Sequence, residues 1–577
     1  MPELGILGNQ AIVSLSSSGN LTWSGSRSRE LRWGVGADDQ WHFSEQRTSI
    51  RQSIDSNDIT PITRMKVPGG DITQRVDVVP WNGRSITKLE FNNETPVPVA
   101  ISILLIGFGS IEVVETMVKS EGEPVIRLSK PIGALVAASG FENLTNEIQN
   151  SQFSGYGDDE ETQSKSGVDA ALIFPLPHAT KLEILISNED LSSFPALNEI
   201  PSFNEISNGW KKHFDNGMEI QTDNEKLMTT VNAARKHLLL GSDQNMSSEF
   251  WDSESTKSSI HLAVLGLLSW GHANSAKKLL YKYMENAPDS LFMNKVNRHV
   301  LYALCLWEEY IELCSEEESL EEIIPWLEES ISRLLSSLPN RRRLKNRDIS
   351  LELASLKAAV SLLIFIGNDS LASDIQGEFN EILKRSGTNR VYSPFSELMN
   401  SFSAASEALR THLNSNNELK TFDHILSKAD TTGSFPKDSR SQDPIASALF
   451  LLAIRACFLI KNVSPDGQRV IDIAPLFSPD WIGKSIEVKN APIQGGNMGY
   501  AIRWHGSSPA LLWEAKTVDS LTISADSIDK DWESADLIGE ALLAKQTPPE
   551  TAVTIQREQA TFSKSIDPES PDGGTFQ

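Results

Sequence analysis

Three carboxylates and one tryptophan lie together just before an apolar helical pattern that begins near residue 255. They are Glu249, Trp251, Asp252 and Glu254. Carboxylates accept hydroxyl hydrogens and an aromatic face covers the C–H side of a sugar ring, so this set could bind a carbohydrate. The alternative is structural, because acidic residues are favoured in the first turn of a helix and Trp251 could pack beneath the helices.

A second polar group lies within residues 500–516, where apolar and polar side chains alternate on both sides of a Gly-Ser-Ser-Pro segment. This pattern predicts a β-hairpin with one large apolar face. Arg503 and Glu514 could pair across its strands, which would contribute about 0.2–1 kcal/mol. A catalytic role for His505 remains an alternative, although the sequence offers it no partner.

The charge balance excludes several classes of function. The chain of 577 residues has a formal net charge of -25, which argues against a nucleic-acid partner because such surfaces are built from clustered Lys and Arg. The basic run at 341–345 is predicted to be a solvated loop after a helix. Cys305, Cys314 and Cys457 lie in apolar helical patterns without metal-ligand spacing, and no P-loop or H-E-x-x-H motif occurs. We therefore expect neither a metal nor a cofactor.

The chain shows no sign of a membrane segment. Its first residues lack a basic segment followed by a sustained apolar one, and no run reaches the roughly 18 apolar residues of a membrane-spanning helix. The longest apolar run, residues 97–109, is predicted to be a buried pair of strands. Together with the buried thiols, this favours a cytoplasmic protein without a membrane partner. The sequence leaves the oligomeric state open.

The period of the hydrophobic pattern changes twice along the chain, which predicts a multidomain α+β protein. Short apolar runs separated by Gly, Pro, Asn and Ser predict an antiparallel β-sandwich over residues 1–205. A helical period follows over residues 206–462, and strand-like runs return as a small β-module over residues 463–545. Residues 546–577 have too few apolar side chains to pack, and the acidic insert at 146–167 is predicted to be a loop.

Ten segments of the middle region carry apolar residues at helical spacing. Because short links join them, they are predicted to stack as antiparallel helical hairpins. The short links also leave little room for long catalytic loops. The ten segments are 224–241, 255–271, 273–286, 294–315, 318–338, 350–366, 368–385, 396–413, 416–429 and 443–461.

The order of a β-domain, helical hairpins and a β-module resembles the six-hairpin glycosidase superfamily, and within it glycoside hydrolase family 15, the glucoamylase-like enzymes. Residues 11–14 and 18–23 are similar to that family's opening hairpin, with Ser and Thr at its two acidic positions. Residues 67–80 resemble its strand-turn-strand, and residues 250–252 resemble its barrel entrance without the arginine. The chain is identified as a degenerate member, which implies an N-terminal β-sandwich, an (α/α)6-type barrel and a small C-terminal β-module.

The resemblance implies two catalytic carboxylates at the mouth of the barrel. Hydrolysis of a glycosidic bond needs a carboxylic acid that protonates the leaving oxygen and a carboxylate that activates water or attacks the sugar. The regions corresponding to the family's acid and base offer Asp348 and Asp443, and Asp252 lies at the barrel entrance. The first two also fit helix N-caps, Asp443 with Pro444 at the first helical position. His261 is predicted to lie in the core or on a helix face.

Two functions remain open from the sequence. The first is a glucoamylase-like glycoside hydrolase that acts on an α-linked glucoside or oligosaccharide without a cofactor. The second is a non-catalytic relative that keeps the fold in order to bind a glycan or a partner protein. An enzyme must bring two carboxylates together in an aromatic-lined pocket, whereas a non-catalytic relative is expected to have a filled or uncharged barrel mouth.

Overall fold

The computed structural model describes most of the chain. The described ranges are 2–9, 12–23, 29–46, 49–54, 58–150, 162–163, 168–189, 194–243, 251, 254–285, 298–314, 320–337, 349–386, 391–415, 418–437, 442–463, 468–517 and 520–546. Of residues 162–163, 254–258 and 463 only the secondary structure is described. The basic run at 341–345 lies outside these ranges, as does the predicted tail 546–577 except for its first residue.

Seventeen strands in the described residues form the N-terminal part of the molecule. They are β1 (Glu3–Leu4), β2 (Val13–Leu15), β3 (Leu21–Trp23), β4 (Arg29–Ala37), β5 (Gln40–Phe43), β6 (Ile50–Ser53), β7 (Ile62–Val67), β8 (Gly70–Trp81), β9 (Arg84–Asn93), β10 (Val99–Ile106), β11 (Ile111–Val114), β12 (Met117–Ser120), β13 (Glu123–Leu128), β14 (Ala134–Ala138), β15 (Thr162–Gln163), β16 (Asp169–Leu176) and β17 (Lys181–Ser187).

These strands make two antiparallel sheets, as the alternating runs predicted. The first has the order β1-β2-β3-β4-β10-β16-β14, with β5 paired to β4, and the second has the order β15-β11-β12-β13-β17-β9-β8-β7-β6. Alternate side chains of both sheets meet in one buried apolar cluster, which is the packing of a β-sandwich. In that cluster the rings of Trp33 on β4 and Phe91 on β9 have centroids 5.3 Å apart.

The apolar run at 97–109 forms one strand, β10, so the predicted pair of strands is wrong. β10 lies between β4 and β16 in the first sheet. Its inner face enters the sandwich core, and Leu104 on its other face belongs to a second apolar cluster with Leu144 and Ile148 of helix α1 (Phe141–Asn150). A strand buried on both faces reads as a continuous apolar run, which explains the pattern. The predicted loop at 146–167 begins in α1 and otherwise lies mostly outside the described residues.

Twelve further helices are described after the sandwich. They are α2 (Phe203–Asp215), α3 (Glu225–Asp243), α4 (Glu254–Ser269), α5 (Ala273–Glu285), α6 (Arg298–Leu313), α7 (Ile324–Ser337), α8 (Ser350–Phe365), α9 (Asp369–Ser386), α10 (Ser396–Asn400), α11 (Phe402–His412), α12 (Phe422–Leu426) and α13 (Pro444–Phe458). None of the described helices is long and apolar enough to cross a membrane.

Each of the ten predicted helical segments contains at least one of these helices. The segment 396–413 is divided into α10 and α11, because Ser401 adopts an extended backbone and caps α11 by accepting a hydrogen bond from the N–H of Ala404. Helix α2 was not predicted, and it crosses the predicted domain boundary at residue 205. Ser202 and Glu205 form a capping box, in which each side chain accepts a hydrogen bond from the other's backbone N–H. The sequence pattern Ser-x-x-Glu at residues 202–205 could have predicted it.

The helices after the sandwich pack against one another through buried side chains. Gly266 of α4 meets the backbone of Ala448 on α13, and His261 of α4 stacks on Tyr302 of α6. Helices α6 and α8 also pack against each other, and α3, α5, α7 and α9 each contact at least one of α4, α6, α8 and α13. All residues of α13 are buried, which suits a helix that is enclosed on every side.

The short helix α10 lies in a segment, residues 391–400, that reaches the buried aromatic residues of α4 and α6. The ring of Phe395 in this segment contacts His261 and Tyr302. The six-fold count of an (α/α)6 barrel is not confirmed.

The C-terminal part forms two small sheets, built from β18 and from the strands after α13. The strands are β18 (Glu219–Gln221), β19 (Leu459–Val463), β20 (Arg469–Ile473), β21 (Ile486–Ile493), β22 (Gly496–His505), β23 (Ser508–Thr517), β24 (Thr522–Ser524), β25 (Glu533–Ser534) and β26 (Ile538–Leu542). One sheet has the order β18-β21-β22-β23-β26 and the other has the order β19-β20-β24-β25. The Tyr500 hydroxyl donates to the Phe458 carbonyl at 2.7 Å, which fastens the first sheet to α13.

The hairpin predicted at 500–516 is confirmed, but its predicted ion pair is wrong. β22 and β23 are joined by a two-residue turn, whose register places Arg503 opposite Ala510 and Glu514 opposite Gly499. Arg503 Nη2 instead lies 2.9 Å from Glu487 Oε2 on the neighbouring strand β21. A tight turn fixes the pairing of the whole hairpin, so the turn length decides which charges meet.

The β-sandwich and the helices share a buried polar interface. Lys236 Nζ on α3 lies 3.1 Å from Asp77 Oδ2 on β8, and both side chains are withdrawn from solvent. Beside this pair, His237 lies 3.2 Å from Ser447 Oγ through Nδ1 and 3.2 Å from Glu3 Oε2 through Nε2. Polar groups buried in this way must meet their partners, so they fix how the sandwich sits on the helices.

Candidate functional site

Of the residues predicted to bind a carbohydrate around Trp251, the structure describes the side chain of Trp251 alone. The Trp251 side chain is completely buried, and its Nε1 donates to the Gly241 carbonyl at 3.0 Å. The side chain is therefore part of the buried core, and a role of Trp251 in sugar binding stays a prediction. Glu254 begins α4, but its side chain is outside the described part. Glu249, Asp252 and Asp348 also lie outside it, so their proposed roles stay predictions.

Asp443 is the N-cap of α13, as its position before proline predicted. Its Oδ1 accepts hydrogen bonds from the N–H groups of Ile445 and Ala446 at 2.9 and 3.0 Å, and its Oδ2 lies 2.8 Å from His412 Nε2. Burial alone would raise the pKa of Asp443, but the hydrogen bond and charge of His412 and the two N–H groups outweigh it, so the pKa lies below its ordinary value. A catalytic role for Asp443 stays a prediction.

The cap predicts a measurable loss of stability. Asp443→Ala leaves two N–H groups of a buried helix without their acceptor, and we expect the free energy of unfolding to fall by about 1–2 kcal/mol. Asp443→Asn is the matched control, because asparagine caps helices about as well as aspartate and loses only the charge that faces His412. Urea denaturation measures both. An alanine variant as stable as the asparagine variant would contradict the capping role.

A serine, a histidine and a glutamate that meet in space have the residue types of a hydrolytic triad. They are Ser447, His237 and Glu3, at the distances given above. All three are buried, and Ser447 Oγ also donates to the backbone carbonyl of Asp443 at 2.9 Å. A nucleophile must reach its substrate, so this arrangement serves the interface between the sandwich and the helices.

Aromatic rings from α4, α5, α6 and the segment 391–400 pack together. His261 of α4 stacks on Tyr302 of α6 with centroids 4.4 Å apart and planes inclined by 2°. Phe395, from the segment 391–400, lies 5.9 Å from Tyr302, and Tyr283 lies 6.3 Å from His261. The prediction that His261 is a helix-face or core residue is therefore confirmed.

The described residues bring three glutamates together in a cavity that the sequence analysis did not identify. Glu308, Glu309 and Glu312 lie on the second half of α6 and line a cavity of about 200 Å³, which we call the carboxylate pocket. Its other walls come from α8, from the segment 391–400, from α13 and from the start of the C-terminal strands. Its further polar lining residues include Lys357, Tyr392, Ser393, Asn400, Arg455, Lys461 and Gln494.

Hydrogen bonds hold each glutamate in a defined place. Ser361 Oγ donates to Glu308 Oε1 at 2.9 Å, and Ser393 Oγ donates to Glu309 Oε1 at 2.7 Å. The third carboxylate, Glu312, stands at the rim, where Lys461 Nζ lies 2.9 Å from its Oε2. Glu308 and Glu309 are only 7% and 9% exposed, whereas the Glu312 side chain is 30% exposed. The pocket therefore has two deep carboxyls and one that meets solvent.

Burial changes the acidity of the two deep carboxyls. It raises the pKa of Glu309 to about 7, and the charge of Glu312 adds to the effect, while the Ser393 hydrogen bond and Lys461 act against it. Burial also raises the pKa of Glu308, against the opposing charge of Lys357. Near neutral pH, Glu309 is therefore able both to give up and to take a proton, as a general acid must.

A buried arginine lies close to these carboxyls. Arg455 is 2% exposed, and its Nη2 donates to the Pro492 carbonyl at 2.9 Å. Burial lowers the pKa of Arg455 to about 10, and the charge of Glu309 acts against this shift. A guanidinium at that pKa stays protonated at neutral pH, so the pocket contains a fixed positive charge beside a group that exchanges protons.

The sequence contained a signal for this pocket that was not used. Trp307-Glu308-Glu309 and Glu312 interrupt one of the most regular apolar helical patterns of the chain. Glutamate is almost never fully buried unless it is paired, so several glutamates on a helix that is predicted to be enclosed indicate a polar site. What the sequence could not show is that residues 391–400 close over them.

Comparisons with known proteins give similarities of fold at low identity. No family model and no curated protein matches the chain. A bacterial glucoamylase complexed with acarbose is 10% identical over 67% of this chain and 68% of its own, with a TM-score of 0.41. A family GH92 α-mannosidase from Bacteroides thetaiotaomicron is 11% identical over 83% of this chain and 87% of its own, with a TM-score of 0.38.

A third solved structure is matched over a smaller share of its length. The α-L-rhamnosidase from Streptomyces avermitilis, complexed with L-rhamnose, is 10% identical over 83% of this chain, with a TM-score of 0.32. This chain spans 53% of the rhamnosidase. At such TM-scores the similarities decide neither the family nor the activity, and membership of glycoside hydrolase family 15 is not confirmed.

Proposed function

We propose that this chain is a glycosidase-like hydrolase whose active site is the carboxylate pocket. The observation that carries the proposal is the position of Glu309, a buried carboxyl with a raised pKa that lines the same cavity as Glu308 and Glu312. A proton donor and a second carboxylate in one cavity are what hydrolysis of a glycosidic bond requires. The cavity is small, which favours a single sugar ring or a short glycoside over a long chain.

Each carboxyl has a separate role in this proposal. Glu309 transfers its proton to the glycosidic oxygen as the bond between that oxygen and the anomeric carbon breaks. Water enters from the rim, attacks the anomeric carbon and loses a proton to Glu312, while Lys461 keeps Glu312 in place. The substrate we propose is an α-linked glucoside or a short oligosaccharide of that type.

The test is release of sugar from a panel of maltose-, cellobiose- and trehalose-type oligosaccharides and aryl glycosides. We expect Glu309→Gln to lower kcat by about 10²–10⁴-fold with little change in KM, because the amide keeps the shape but cannot protonate the leaving oxygen. Glu378→Gln on the exposed face of α9 is the matched control and should leave the rate unchanged. Release that is equally fast in the Glu309 and Glu378 variants would contradict the proposal.

The three aspartates that the sequence offered as catalytic residues remain a rival location for the same activity. Asp252, Asp348 and Asp443 are tested by changing each to asparagine in the same assay. If the carboxylate pocket is the active site, Asp443→Asn retains most of the activity, because the cap is preserved. Loss of activity in these variants, with Glu309→Gln fully active, would assign the active site to these aspartates instead.

A second candidate function is binding without catalysis. It is favoured by the rings of His261, Tyr302 and Phe395, which pack together and fill the space between α4, α6 and the segment 391–400. Calorimetric titration with the same oligosaccharides separates the two functions. Binding without release of sugar supports a glycan-binding relative, and neither binding nor release supports a role with a partner protein.

A further inference from the structure

A second cavity lies between helices α3 and α12 and the chain that links β20 to β21. Its volume is about 750 Å³. We call it the aromatic groove and define it by six of its lining residues: Asp223, Phe422, Asp423, Phe477, Asp480 and Trp481. It shares no lining residue with the carboxylate pocket.

The aromatic rings of the groove are held in fixed positions. One face of Trp481 stacks on the buried Phe458, with centroids 5.1 Å apart and planes inclined by 12°. Phe422 and Phe477 pack against Trp481 nearly at right angles, at 6.2 and 6.0 Å. The turn that carries Trp481 is itself fixed, because Ser478 Oγ accepts a hydrogen bond from the N–H of Asp480 at 3.3 Å. A ligand would therefore meet a preformed apolar wall, with little ordering cost.

Hydrogen-bonding groups surround these rings. Asp423 and Asp480 are exposed, as is Lys484 on the same rim. Hydroxyl groups add to them at Thr222, Thr421, Ser478 and Ser485. The site thus combines half-buried aromatic rings with acceptors and donors at its edge, which suits a ligand with one apolar face and many hydroxyl groups.

The charge of the groove selects against anions. Its carboxylates outnumber its lysines, since four acidic residues line it and only two basic ones. One of the two lysines, Lys420, already has an ion pair with Glu418. A phosphate or a nucleotide would face net repulsion here. A neutral ligand pays no such cost, and its hydroxyl groups can donate to the carboxylates.

We propose that the aromatic groove binds a neutral oligosaccharide of two or three sugar rings. Trp481 and Phe422 contact the C–H face of a ring, and Asp423 and Asp480 accept hydrogen bonds from its hydroxyl groups. The volume lies in the range usual for small-ligand pockets. Such binding is independent of hydrolysis in the carboxylate pocket, because the two cavities have different walls.

The test uses the full chain carrying Glu309→Gln, which prevents turnover. Maltotriose, cellotriose and xylotriose are titrated calorimetrically into this protein and into versions that also carry Asp423→Ala or Asp480→Ala. We expect one trisaccharide to bind and each aspartate variant to weaken its binding about tenfold, because a hydrogen bond to a charged group is lost. Glu540→Ala, which removes an exposed carboxylate on β26, is the matched control and should change nothing.

Two further variants show whether the trisaccharide binds in the aromatic groove or in the carboxylate pocket. Trp481→Phe keeps a ring packed on Phe458 and is expected to weaken binding, with its fold verified by circular dichroism. Lys461→Ala alters the carboxylate pocket but no lining residue of the aromatic groove, and it should have no effect on groove binding. The proposal is overturned if none of the three trisaccharides binds at millimolar concentration. It is also overturned if binding falls with Lys461→Ala and is unchanged by Asp423→Ala and Asp480→Ala.

Discussion

Asp77→Ala is expected to lower the free energy of unfolding by about 3–5 kcal/mol, the largest effect of any single substitution considered for this chain. Asp77 is fully buried, and its carboxylate oxygens lie 3.3 and 3.1 Å from Lys236 Nζ, whose side chain is 8% exposed. Burial raises the pKa of Asp77, and the charge of Lys236 opposes that shift. Removing the carboxylate leaves an ammonium group buried between the sandwich and α3 without its partner.

Urea denaturation of three variants tests this expectation. Lys236→Ala should cost about as much as Asp77→Ala, because it leaves the carboxylate buried alone. Arg333→Ala is the control, since it breaks the pair between Arg333 and Glu329, in which both side chains are 60% exposed, and should cost less than about 1 kcal/mol. A loss below that value for both buried positions would show that water reaches the interface.

The double variant separates the ion pair from the packing around it. Asp77→Val combined with Lys236→Met replaces both charges by apolar groups and is expected to be more stable than either single alanine variant. If the double variant is instead less stable than both, the pair contributes to stability directly. In that case the attraction between the two charges would exceed the free-energy cost of burying them.

Glu309→Gln is expected to make the protein more stable at pH 8 and to change its stability little near pH 4. The pKa of Glu309 rises from 4.5 to about 7 on folding, so between these values the folded chain binds more protons than the unfolded chain. Stability therefore falls as the pH rises through this window. The shift corresponds to about 3 kcal/mol, which the neutral amide does not lose.

The measurement is the free energy of unfolding between pH 4 and pH 8 for wild type and variant. The advantage of Glu309→Gln should grow through the window and level off above pH 7. Glu378→Gln should show no such trend, because that side chain is exposed on α9. Parallel curves for wild type and Glu309→Gln would mean that Glu309 is ionised without cost. A carboxyl that costs stability and supports activity is the usual sign of a functional group.

The helices could be predicted because their signals are local. Apolar residues at helical spacing located all ten segments, and the pair Asp443-Pro444 marked the first turn of α13 correctly. The same kind of signal was present before α2, where Ser202 and Glu205 form a capping box. Helix α2 was missed because the strand-like runs before it led us to extend the predicted β-domain to residue 205.

The polar contacts could not be predicted because they depend on tertiary register. The partner of Arg503 is set by a two-residue turn and by β21, which precedes the hairpin in the chain. The carboxylate pocket needs Ser393 to fold back onto Glu309, and the aromatic groove brings together Asp223, Phe422 and Trp481 from three distant segments. Spacing along the sequence carries no information about such encounters.

The most direct test of a proton donor in the carboxylate pocket is the titration of the Glu309 carboxyl itself. With glutamate side chains labelled with carbon-13, the signal lost in Glu309→Gln identifies this residue, and its chemical shift is followed between pH 3 and pH 9. A midpoint near 7 is the predicted result, because burial outweighs the stabilisation by Ser393 and Lys461. A midpoint near the ordinary glutamate value of 4.5 would contradict it, and Glu309 would then be unable to donate a proton at neutral pH.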